Sequence, residues 1–111
     1  MTLKEKIQAI QDKKKYEIET RDFYIGRLEK ELKNIGLVIT KKDVDGFVQL
    51  QAFCFSKDKR LVQSLIFGFG NHSVTCFLGM QKSTHRYDEG DFNLMMDVLA
   101  NHYAGIVSFE Q

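Results

Sequence analysis

The chain has no proline and no tryptophan, and only two cysteines in 111 residues. Without proline, no position carries an obligatory break in a helix or strand. Cys54 and Cys76 sit in the apolar runs Phe53-Cys54-Phe55 and Thr75-Cys76-Phe77, so they read as small buried hydrophobes rather than a disulfide framework. No CxxC or HExxH joins a cysteine or carboxylate to His72, His85 or His102, and no metal is expected. A thiol nucleophile needs exposure and an electropositive setting, which these apolar runs deny it. Neither GxxxxGK[ST] nor GxGxxG occurs, which leaves no phosphate-cradling loop and no nucleotide cofactor. These absences make a non-enzymatic protein the expectation.

Two further absences concern partners. No apolar run approaches the ~18 residues that span a bilayer, and the opening Met1-Thr2-Leu3-Lys4-Glu5-Lys6 lacks the apolar centre of a secretion signal, so the expected setting is cytoplasmic with no membrane contact. Charge of one sign is also missing: 16 Lys+Arg face 15 Asp+Glu, a net +1 that supplies no strong overall field for nucleic acid.

What is present is one small domain's worth of material, 43% apolar, divided unequally. Residues 1–34 hold nine basic and seven acidic side chains and read as one long charged helix. Thr2 with Glu5 forms a capping box at its start, and Lys33, Asn34 and Gly36 mark its stop. Ile7, Gln11, Lys14, Ile18, Arg21, Ile25, Leu28, Leu32 and Ile35 alternate at intervals of four and three, a heptad seam that Tyr24 broadens. Glu17–Arg21, Arg27–Glu31 and Glu29–Lys33 are spaced to pair along the helix. At 1.5 Å per residue such a helix runs about 48 Å, longer than a compact domain of this size is wide. Part of it projects, breaks or pairs, and Ile18, Tyr24, Ile25, Leu28 and Leu32 are the candidate protein-interface residues.

Residues 35–111 read as a small α+β head joined to the helix in one domain. Strands are expected over Leu37–Lys41, Phe47–Phe55, Leu61–Phe69 and His72–Met80, with Gly70-Asn71 as a turn that sets Phe69 opposite His72. Val48, Leu50, Ala52 and Cys54 then share an apolar face with Leu65, Phe67, Val74 and Cys76. The opposite face mixes Phe53, Phe55 and Phe77 with glutamines, serine and threonine, and calls for a cover: a helix, another subunit or a partner. Gln81–Tyr87 reads as a loop, Asp88-Glu89-Gly90-Asp91 as the start of a helix ending before Gly105, and Ile106–Phe109 fits a final strand.

The run Leu28-Glu29-Lys30-Glu31-Leu32-Lys33-Asn34-Ile35-Gly36-Leu37, where a coiled-coil helix leads directly into a meander, loosely resembles the architecture of RWD-like kinetochore domains. The final strand departs from the helical ending of that architecture, and no kinetochore function is carried over. The composite expectation is a homo-oligomeric interaction module that also binds another protein. The alternatives are a small single-stranded nucleic-acid-binding protein, using Phe53, Phe55 and Phe77 with Lys57, Lys59, Arg60, Lys82 and Arg86, or a phage or bacterial inhibitor acting by surface occlusion.

Overall fold

The computed structural model describes residues 1–110, and the side chains of residues 1–106. Its order is α1 (Leu3–Asn34), β1 (Val38–Val44), β2 (Phe47–Phe55), β3 (Leu61–Phe69), β4 (Ser73–Leu78), β5 (Gln81–Arg86) and α2 (Glu89–Glu110), an α+β fold. The strands form one antiparallel sheet in the order β1-β2-β3-β4-β5, so each pairs only with its neighbours in sequence.

Local chemistry places the boundaries. Thr2 accepts the Glu5 backbone N–H at 3.2 Å and caps α1. At the other end Gly36 takes a φ of 82°, and its N–H and that of Leu37 close back on Lys33 and Leu32 at 2.9 and 3.1 Å. This double closure satisfies carbonyls that the last turn leaves open. Asp45 and Gly46, with φ of 52° and 80°, make the two-residue turn between β1 and β2 whose twist matches the strands it joins. Asp88 starts α2 by accepting the Asp91 N–H at 2.8 Å.

The core lies between one sheet face and the two helices. Val48, Leu50, Ala52 and Cys54 from β2 meet Leu65 and Phe67 from β3 and Val74, Cys76 and Leu78 from β4, all buried. Tyr24, Ile25, Leu28 and Leu32 of α1 and Phe92, Met95 and Leu99 of α2 close this face. Among the described residues no helix lies over the other sheet face, and Phe47, Phe55 and Phe77 remain exposed there.

Four expectations need correction. The turn between β3 and β4 is Asn71-His72 inside a Gly70–Ser73 pair, so Phe69 stands opposite Val74, a shift of two residues from the expected register. A shift of two preserves which face each side chain takes, which is why the apolar face was read correctly. Gln81–Arg86 is the edge strand β5, not a loop. The helix α2 runs through Gly105 to Glu110, so the final strand at Ile106–Phe109 does not form. Finally, Arg21 and Arg27 leave their expected helical pairings: Arg21 is buried and donates to the Gly46 carbonyl, while Arg27 meets Glu89 at 2.5 Å and stacks 4.7 Å from the Phe92 ring. Glu29–Lys33 does form, at 4.0 Å.

Candidate functional site

The long helix divides at about its midpoint. Every residue from Met1 to Tyr16 is exposed, whereas Arg21, Tyr24, Ile25, Leu28 and Leu32 are buried against the sheet. The molecule is consequently 64 Å long and 25 by 24 Å across, with a radius of gyration of 16.8 Å, against about 13 Å for a compact chain of this length. Of the five helix residues read as interface candidates, Tyr24, Ile25, Leu28 and Leu32 belong to the core of their own chain, and Ile18 alone is solvent-exposed. The stripe does not stop where the sheet stops. At 100° per residue, Leu3, Ile7, Ile10 and Ile18 fall on the same side of the helix as Ile25, Leu28 and Leu32, and all four are exposed.

The open sheet face is the second surface. Cross-strand pairing arranges its residues in rows: Lys42, Gln49, Gly68, Thr75 and Thr84 form one, and Thr40, Gln51, Ile66, Phe77 and Lys82 the next. Beside them stand Val38, Phe53 and Ser64, with Phe55 at the end of the strand. Phe55 and Phe77 are exposed and Phe53 is half-buried, its ring centroid 6.4 Å from that of Phe55. The three sheet aromatics expected as binding candidates therefore share one solvent-facing surface. Phe47 joins them at its far end, lying over Gly68, where an added Cβ would come within 2.6 Å of the ring tip.

A third constellation is one that the sequence offers only as a spatial cluster of His85 with Asp88, Asp91 or His102, which spacing does not support; the structure forms it with Asp91 and adds Ser83. Ser83 Oγ lies 2.8 Å from His85 Nε2, and His85 Nδ1 lies 3.0 Å from Asp91 Oδ1. The other Asp91 oxygen accepts the Arg86 backbone N–H at 2.6 Å. That N–H, followed by the His85 hydrogen bond, holds the Asp91 carboxyl below its usual pKa. Serine, histidine and aspartate stand in the order that activates a serine in hydrolases. Here the imidazole is buried, and the cleft beside it takes Asp91 but neither Ser83 nor His85 into its wall. The chain of hydrogen bonds instead satisfies a buried histidine at both ring nitrogens and ties β5 to the first turn of α2. The nearby Cys76 thiol is pushed up to about 12 by burial, which keeps it protonated and unreactive.

That neighbouring cleft, of about 630 Å³, lies where α1 leaves the body, between Glu17, the Asn71-His72 turn and the segment Arg86–Asp88. Tyr87 braces it from inside: its hydroxyl donates to the carbonyls of Gly70 and Ser73 at 2.6 and 3.0 Å, and its ring stacks on Tyr24 and Phe69. Burial raises the pKa of that hydroxyl, so it remains a donor. Among the described residues, no group of three His, Cys, Asp or Glu is placed to hold a metal, and no helix is long and apolar enough to cross a membrane. No known protein family, curated protein or solved structure matches the chain.

Proposed function

We propose that the chain is a non-enzymatic protein-interaction module that homodimerises through the projecting half of α1, with its α+β body carrying the surface offered to a partner. The observation that carries this reading is the stripe Leu3, Ile7, Ile10 and Ile18, which continues the buried stripe of the same helix beyond the reach of the sheet. A helical segment of this length is marginal in water without tertiary packing. Its local supports, the Thr2 cap, Gln8–Asp12 at 2.9 Å and Lys15–Glu19 at 3.9 Å, each contribute a few tenths of a kcal/mol to about 1 kcal/mol. A second copy of the same stripe supplies what the sheet does not, by burying four apolar side chains per helix in a short coiled coil.

The occupied surface is small compared with the ~800 Å² per partner of a standard interface, so the dimer is weak and concentration-dependent. Sedimentation equilibrium of the full chain over roughly micromolar to millimolar concentration tests it. The expected result is a reversible rise towards twice the 12.9 kDa chain mass, abolished by Ile7→Glu with Ile10→Glu. Both positions are exposed on the projecting half of α1, so the double variant keeps the parent's circular dichroism. A chain that stays at monomer mass throughout, or a dimer indifferent to the double variant, overturns the reading.

A further inference from the structure

We infer that the open face of the sheet is a binding surface for single-stranded nucleic acid, a role that goes beyond the helix-mediated pairing proposed above. The near-zero net charge of the chain hides a separation that folding creates. Behind the sheet, α2 presents Glu89, Asp91 and Asp97 and has no Lys or Arg, beside α1 with its nine basic and seven acidic residues. On the opposite side, the outward positions of the five strands include Lys42, Lys82 and Arg86 and no carboxylate. The β2–β3 turn adds Lys57, Lys59 and Arg60 beside Phe55, against a single Asp58. Among the described residues, Lys42, Lys57, Lys59, Arg60 and Lys82 enter no ion pair. The strand positions of the open face thus carry free cations and no carboxylate, whereas α1 and α2, with their mixed and acidic charge, lie on the other side, so an anionic ligand approaching the open face meets uncompensated positive charge.

The mixed pattern of the face argues against an apolar protein layer. A second sheet or an apolar helix packed here would bury Gln49, Gln51 and Ser64 among the rings, and each unpartnered polar group costs free energy. Single-stranded nucleic acid presents the matching alternation, with π faces for the aromatic rings, polar base edges for the amides and hydroxyls, and phosphates for the lysines. The rings of Phe53 and Phe55 lie 28° from parallel, and Lys82 Nζ stands 5.8 Å from the centre of the Phe77 ring, with a base-stacking group and a phosphate-binding group side by side. Across five strands at the usual spacing the face is about 20 Å wide, room for roughly three nucleotides laid across it.

The test is fluorescence anisotropy of a fluorescein-labelled oligo(dT) of about 12 nucleotides, and of oligo(U) of the same length, titrated with the full chain. Binding is expected at about 50 mM salt, weakening about 20- to 100-fold by about 200 mM as three to five phosphate contacts release counterions. Phe55→Ala and Phe77→Ala each lower affinity about 5- to 100-fold, and Lys82→Ala lowers the salt slope by about 0.7. Phe55 and Phe77 are exposed, so these variants keep the parent's thermal transition. Ile7→Glu with Ile10→Glu abolishes dimerisation and leaves the sheet's affinity for the oligonucleotide unchanged, which separates this proposal from the preceding one. Absence of binding by about 100 µM protein overturns it, as does binding that ignores both phenylalanines. A dimer dissociated by Phe55→Ala or Phe77→Ala assigns the face to a second copy and likewise overturns it.

Discussion

The two halves of α1 share an apolar stripe, interrupted in the first half by Gln11 and Lys14, and meet different fates. Ile25 and Leu28 are 5% and 0% exposed, whereas Ile7 and Ile10 are 47% and 57% exposed. Nothing in the spacing of these residues separates them; the sheet simply ends beneath Arg21. An apolar stripe thus states which side of a helix seeks cover, and the reach of the neighbouring element states how much of it is covered. The sheet repeats the lesson across its thickness, with an inner face of Leu50, Phe67 and Val74 packed by helices and an outer face of rings and amides left open.

The strongest way to break this contrast is truncation of side chains along the stripe. Leu28→Ala is expected to cost about 2–5 kcal/mol in urea unfolding, because it leaves a cavity under the helix. Ile10→Ala, measured at a concentration where the chain is monomeric, changes stability by less than about 0.5 kcal/mol. Equal effects at the two positions would show that the exposed half is packed in solution. Next in size is His85→Ala, which strands Ser83 and Asp91 and is expected to cost about 1–3 kcal/mol by the same measurement.

Acid sharpens the comparison on the packed side. The folded-state pKa of Asp91 is lowered from 3.8, so its contribution is present above that value and is lost as pH falls through the lower folded value. Acid unfolding of the parent chain therefore includes a component that Asp91→Asn removes, readable as a flatter dependence of the urea midpoint on pH below about pH 4. The smallest effect belongs to the open side. Gly68→Ala displaces only the exposed ring tip of Phe47, with an expected change under about 0.5 kcal/mol and a shifted Phe47 ring resonance by NMR. A larger loss would mean that the ring is held in place.

Much of the fold was legible because burial and periodicity agree: the capped helix, four of the strands and the inner face all follow from apolar spacing. The strand β5 was not, since its inward residues Gln81, Ser83 and His85 are as polar as its outward ones and no alternation appears. With the strand hidden, nothing in the spacing singled out Asp91 over Asp88 or His102 as the partner of His85. Ile106–Phe109 looked like a strand because it is short and β-branched, yet Met95, Leu99 and Ile106 already carried the helical period past Gly105. The pair Asp45-Gly46 was a stronger hairpin signal than Gly70-Asn71 and fixes the first turn of the sheet. As for the candidate surfaces, Phe53, Phe55 and Phe77 could be grouped from alternation alone. The cations Lys57, Lys59, Arg60, Lys82 and Arg86 could be grouped with them as well, but that the outward strand positions hold no carboxylate required the register of the strands.

The strictly sequential strand order has a kinetic consequence. Every ladder joins neighbours across a turn of a few residues, so the sheet can grow by successive hairpins, each closing a short loop at small entropic cost. The contacts distant in sequence are those that dock the two helices on its inner face, where Arg27 near one end of the chain reaches Glu89 near the other. A nascent chain emerging from synthesis can therefore complete its sheet, with α1 already made, before α2 exists, and until that helix arrives the part of the inner face that Phe92, Met95 and Leu99 will cover stays open.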